Sequence, residues 1–137
     1  MSLFNVFDVA GSAMNAQSMR MNVTASNLAN AGNVSGDPDK VYRARQPVFS
    51  SFSTSLADQT GVAGVRLDGV VESAAPLQLR YQPDHPEADA DGNVYVTNVN
   101  TVEEMVNMMS ASRSYKNNVE MINTTKDLLL QTLSLGR

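Results

Sequence analysis

The stretch "ASNLANAGNVSG", residues 25–36, decides how the chain is divided. Asn is a mediocre helix former and Gly a poor one, so a helix arriving here runs out. Upstream, steps of three and four pick out Leu3, Phe7, Ala10, Met14, Gln17, Met21, Thr24 and Leu28. This heptad-like stripe with a soft seam predicts a helix from about Ser2 to Ala31, roughly 40 Å long. Phe4, Gly11, Ser18 and Ala25 lie beside the stripe, and only Asp8 and Arg20 carry charge. Asp8 suits the helix dipole, and Gly32 is the expected C-cap.

A second helix is expected from about Thr101 to Leu135, roughly 50 Å long. "TVEE" reads as a capping box, with Thr101 as N-cap and Glu104 at N3. Its stripe is Met105, Met108, Ser112, Tyr115, Val119, Ile122, Lys126, Leu129 and Leu133, with Val102, Met109 and Leu130 flanking. Gly136 is a candidate C-cap. Between the helices lie most of the glycines and all five prolines. Period-two alternation in "VRLDGVVES" and "LQLRY", with "VYRARQPVF" and "NVYV", predicts a small twisted module of about four strands. Pro47 pushes the first strand toward a sheet edge. "SGDPDK" and "SSFSTSLADQTG" read as loops. The expected fold is therefore α+β. Helices at 1–33 and 101–137 pair as an antiparallel-type coiled coil, and a β-rich insert occupies 34–100.

Composition narrows the function. The 137 residues carry 18% charged side chains and a net charge of −4. Ordinary domains have about a quarter charged. Asn occurs thirteen times. The acidic balance excludes a basic nucleic-acid footprint. There is no Cys, so disulfides and thiolate metal sites are excluded. The N-terminal "MSLFNVFDVAGSAMNAQ" has neither a cationic n-region nor an unbroken apolar core. A cytoplasmic location, or export without a cleaved signal, is expected. A β module this small cannot cover both helices, so they must pack on each other and then on something else. The first helix lacks the charged face of a water-exposed helix, and multi-sided packing in an oligomer is the better reading for it.

Candidate chemistry is sparse. His85 is the lone His, held between Pro83 and Pro86, and a loop role outweighs catalysis or ligation. Glu87, Asp89, Asp91 and Gly92 match the first half of a calcium loop. However, Asn98 stands where the bidentate Glu belongs, and Asp91-Gly92 is a strong turn dipeptide. A calcium module using Glu87, Asp89 and Asp91 is the alternative from a different class. No phosphate loop or nucleophile elbow is present. Neither an enzyme, a cofactor nor a small-molecule substrate is supported.

"ASNLANA" after the amphipathic helix resembles the N-terminal signature of bacterial flagellar rod and hook proteins. "VEEMVNMMSASRSYKNNVEMINTTKDLLLQTLSLGR" resembles their C-terminal signature, through Val102, Glu104, Met105, Ala111, Arg113, Tyr115 and Asn118. The resemblance covers essentially the whole chain. "GNVSGDPDKVYRAR" replaces the Thr-Pro-Gly-Tyr type stretch of distal-rod and hook members, whose inserts are also longer. The short proximal-rod type fits better, with another axial subunit as the near alternative. The resemblance implies an inner layer of paired terminal helices and a structural role in the rod that passes motor torque to hook and filament. It implies a rod crossing the periplasm and export by the flagellar type III apparatus. Its partners would be other proximal- and distal-rod proteins, and membrane-ring and export-gate adaptor proteins at the base. The expected assembly interface comprises Leu3, Phe7, Met14, Met21, Asn27, Leu28 and Asn30 on the first helix. On the second it comprises Met105, Met108, Met109, Arg113, Tyr115, Asn118, Ile122, Leu129 and Leu133.

Overall fold

The computed structural model describes residues 3–53 and 63–135. Helix α1 spans Leu3–Ala29, and five strands follow: β1 (Val34–Ser35), β2 (Arg45–Ser53), β3 (Ala63–Glu72), β4 (Gln78–Tyr81) and β5 (Asn93–Val96). Helix α2 closes the chain as Thr101–Leu135. The α+β architecture is the expected one, with the two helices packed on each other. The insert forms two sheets instead of a single module. β1, β5 and β4 make a three-stranded antiparallel sheet, and β2 and β3 make a separate hairpin. β2 runs on through Ser53, so the first third of the expected "SSFSTSLADQTG" loop is strand. The rest, residues 54–62, lies outside the described residues, as does Gly136.

Helix α1 carries two covered lines. The expected stripe from Phe7 to Leu28 is buried or half-buried throughout, with Ala10 and Thr24 deepest. A second line, Ser12, Ala16, Arg20 and Asn27, faces the β2–β3 hairpin. Ser12 accepts a bond from the Val65 amide at 3.1 Å. The Arg20 guanidinium lies 5.5 Å from the centre of the Phe49 ring, within cation–π range. A Cβ at Gly64 would meet the Phe52 ring at 2.8 Å and Ser12 Oγ at 3.2 Å, so a side chain there would require the Phe52 ring to shift. The charge-poor second side of α1 is therefore covered by the chain's own hairpin. This corrects the expectation that neighbouring chains must cover it. What stays exposed on α1 is a narrow line of Asp8, Asn15, Asn22, Ala25 and Ala29.

Asn27 fastens this layer. It is 1% exposed. Its Oδ1 accepts from the Tyr42 hydroxyl at 2.8 Å and from the Arg45 amide at 2.9 Å. Its Nδ2 donates to the Arg45 carbonyl at 2.8 Å. Asn98 ties the same open end of the hairpin, accepting from the Ala44 amide at 2.7 Å and donating to the Ala75 carbonyl at 2.9 Å.

Three terminal details differ from expectation. α1 ends at Ala29 and unwinds through i to i−3 bonds at Ala31 and Asn33. Gly32 has no positive φ, so it is not a left-handed C-cap. No acidic residue lies in the first turn of α1, which puts Asp8 beyond the reach of the dipole. The N-cap of α2 is Asn100, whose Oδ1 accepts from the Val102 amide at 3.1 Å. The cap therefore sits one residue before Thr101, and Glu104 is released from the box into the helix seam.

Asn27→Ala removes three bonds and strands buried backbone and hydroxyl groups. It is expected to lower unfolding free energy by about 2–4 kcal/mol. Asn30→Ala, which loses a bond to the Ser26 carbonyl and an exposed one from the Asn33 side-chain amide, is expected to cost about 0.5–1.5 kcal/mol. Urea unfolding of both variants checks the order.

Candidate assembly interface

On α2, burial follows one line: Glu104, Met108, Ala111, Tyr115, Asn118, Ile122, Thr125 and Leu129 are all buried or half-buried. The spacing alternates four and three, the period of a left-handed coiled-coil seam. Among the described residues, α1 is the one element that α2 packs against. Half of the expected stripe is this seam: Met108, Tyr115, Ile122 and Leu129. The other half is displaced by one residue, with Glu104, Ala111, Asn118 and Thr125 in place of Met105, Ser112, Val119 and Lys126. The expectation favoured the larger apolar residues. The seam instead takes small and polar ones, facing Ala10, Gln17 and Thr24 on α1. Gln17 Oε1 is buried there with no hydrogen-bond partner among the described residues.

Of the displaced side chains Met105, Val119 and Lys126 are exposed, and Ser112 is half-buried beside the seam. Among the described residues the buried apolar set is small: Ala10, Ala16, Val23, Val41, Ala44, Val94, Val96 and Ala111, with no Leu, Ile, Met or Phe. Sixteen large apolar side chains among the described residues are exposed, and ten of them are on α2. Met105, Val106 and Met109 form a patch near its start. At the far end exposure climbs from 51% at Leu128 to 69% at Leu133 and 84% at Leu135. α2 has 35 residues and α1 has 27, so α2 is about 12 Å longer. The chain exposes 9380 Å², against ~7,000 Å² expected for a compact monomer of its mass. The difference is on the order of a standard protein interface.

The sixteen expected interface residues divide accordingly. Met105, Met109, Arg113 and Leu133 are exposed, while Met108, Tyr115, Asn118, Ile122 and Leu129 lie in the seam. Phe7, Met14, Met21, Leu28 and Asn30 are half-buried, and Asn27 is engaged within the chain. Leu3 lies outside the residues whose side chains are described. The sequence reading missed the outward set Val106, Met121, Leu128 and Leu135, together with Asn98 and Asn100. The outward residues carry a signal that periodicity alone does not sort, because both faces of α2 hold apolar side chains.

The candidate chemical sites resolve as turns. Asp89 Oδ1 accepts from the Asp91 amide at 2.9 Å and from the Asn93 amide at 2.8 Å. Gly92 has a φ of 76°, the left-handed conformation such a turn requires. His85 Nδ1 accepts from the Glu87 amide at 3.1 Å, a bond within the turn. Asp37 titrates below the usual carboxylate range because the Asp39 amide and Lys40 both favour its charged form. No helix is long and apolar enough to cross a membrane, among the described residues.

Paired terminal helices, a short β insert and an uncovered apolar helix face define an axial structural subunit. Residues 7–36 match the family described as flagella basal body rod protein. Residues 90–135 match the family described as flagellar basal body rod FlgEFG protein C-terminal. The chain is 53% identical over 137 residues, all of both chains, to the flagellar basal-body rod protein FlgC of Escherichia coli O6:H1. Identity to the FlgC of Salmonella typhimurium is 52% over the same full length. To the FlgC of Buchnera aphidicola from Acyrthosiphon pisum it is 40%, over 99% of each chain. The chain belongs to the FlgC family of flagellar basal-body rod proteins; it is a structural rod subunit and not an enzyme.

Calorimetric titration with millimolar calcium is expected to release no heat, because Asp89 is already bonded to its own turn. A saturable heat that disappears in Asp89→Ala would restore the calcium reading.

Proposed function

We propose that this subunit builds the proximal part of the rod by laying the outward face of α2 against neighbouring subunits in a helical array. Heterologous contacts that do not close into a ring propagate such an array. The observation that carries the reading is the apolar surface of α2: Glu104, Ala111, Asn118 and Thr125 alternate with Met108, Tyr115, Ile122 and Leu129 in the seam, while ten further large apolar side chains stand exposed. In a monomer this arrangement wastes apolar surface. In an array each outward patch finds a neighbour, and packing along α2 makes the shaft stiff enough to carry torque. The short insert, residues 34–100, supports the proximal position over a distal one. The partners on this reading are other proximal- and distal-rod proteins, and the membrane-ring and export-gate adaptor proteins at the base. The site is the periplasmic span of the rod, reached through the flagellar type III apparatus without a cleaved signal.

Met109→Asp places a charge on a 62% exposed position, so monomer stability is expected to change by less than about 0.5 kcal/mol. Rod assembly and swimming are expected to be lost. Normal motility with this variant would contradict the reading. Hydrogen exchange gives a second check: in the dilute chain, α2 amides from Leu128 onward are expected to exchange fastest in the helix, because nothing covers them.

A further inference from the structure

Tyr81 ends β4 with its ring in solvent. It is 69% exposed, and it is the one exposed aromatic side chain among the described residues. The ring is nonetheless propped by the turn beside it: a Cβ at Gly92 would lie 3.1 Å from Tyr81 Cε2 and 3.1 Å from Pro83 Cβ. The same corner carries Asp84, exposed and without an ion pair among the described residues. Arg80 precedes Tyr81 on the strand and so lies on the other face of the sheet. A rigid, exposed tyrosine beside an unpaired carboxylate has the form of an interface anchor.

Its complement lies on α2. Met108, Met109, Ser112, Arg113 and Lys116 line an open groove of about 510 Å³. Arg113 and Lys116 are exposed and form no ion pair among the described residues, although Glu120 stands one turn beyond Lys116. Elsewhere Lys40, Arg45 and Arg66 are paired within the chain, and Arg20 sits on Phe49. This is therefore the one place, among the described residues, where two unpaired cations share a helix face. The lining selects the guest. A thioether packs on an aromatic ring edge, a guanidinium on its face, and an ammonium group attracts a carboxylate. A cationic guest is repelled, and an aliphatic one covers Arg113 and Lys116 without pairing them. The chain's own β4 does not fill the groove, because α2 packs against α1 alone among the described elements.

We infer that the Tyr81–Asp84 corner of one copy of the chain seats in the α2 groove of a second copy, with the ring on Met109 and Arg113 and the Asp84 carboxylate at Lys116. A second copy is the occupant because knob and groove are both carried by this chain, have opposite charge, and are left unpaired within it. The inference rests on the rod reading and names one of its contacts. The two patches differ, so the contact is heterologous and can propagate along an array.

Reciprocal charge reversal tests the contact in cells. Asp84→Lys and Lys116→Asp each set like charges together and are expected to abolish motility. Both positions are exposed, so the purified variants are expected to keep their Tm within about 4 °C. A chain carrying both substitutions restores the opposite pairing and is expected to swim. Normal swimming by either single variant would overturn the contact. A double variant as immotile as the singles would overturn the second copy as occupant. Leu133→Asp, outside the groove, keeps the two readings apart: loss of rods in that variant alone would leave the rod reading standing without this contact. Disulfide trapping decides the matter even where a reversal lowers the Tm, because the chain holds no Cys. One copy carries Asp84→Cys and a co-expressed copy carries Lys116→Cys. Oxidised rods are expected to yield a cross-linked dimer of the chain, and its absence from rods that assemble normally would overturn the proposal.

Discussion

The fold depends on how α1 and α2 meet. Their seam is filled by Ala10, Gln17 and Thr24 on one side and by Glu104, Ala111, Asn118 and Thr125 alternating with larger residues on the other. Small side chains let the backbones approach, and polar ones contribute little hydrophobic stabilisation. Ten further large apolar side chains of α2 stand exposed outside the seam. Burying them requires another molecule. A chain arranged this way has its largest source of stability outside itself, which is the logic of an assembly subunit.

Hydrogen bonds compensate within the chain. Asn27 and Asn98 each join segments that are distant in sequence, locking the hairpin to α1 and to the strand ends. Asn100 starts α2, and Asn30 bonds back into the last turn of α1. The amide-rich composition is thus a set of directional ties in a protein with a thin apolar core. Directional ties fix where the insert sits on the helices, and so which face of α2 is offered outward.

Much of this was legible in the sequence. The α1 stripe is covered as read, because there the apolar residues and the period agree. The β insert was visible in its alternation, although Asp68, the extra residue of a bulge opposite Val48 and Phe49, breaks the phase of "VRLDGVVES". The seam of α2 was only half legible. Met105 and Val119 lie one residue from Glu104 and Asn118, and hydrophobic periodicity assigns the larger residue to the core. That rule presumes a self-sufficient monomer. It fails where the larger residue serves a neighbour. For the same reason the reading placed the many-sided packing on charge-poor α1, while the structure leaves α2 uncovered. The Asn27 ties were not legible, since their partners Tyr42 and Arg45 come from a segment whose placement the sequence does not give.

The central claim is that the outward face of α2 is buried by neighbours and its seam by the chain itself. Methionine footprinting with peroxide tests this directly, because Met105, Met109 and Met121 are 46–62% exposed while Met108 lies in the seam. In the free chain the three outward methionines should oxidise faster than Met108. In isolated rods they should be protected. Outward methionines that oxidise in rods as fast as in the free chain would contradict the account.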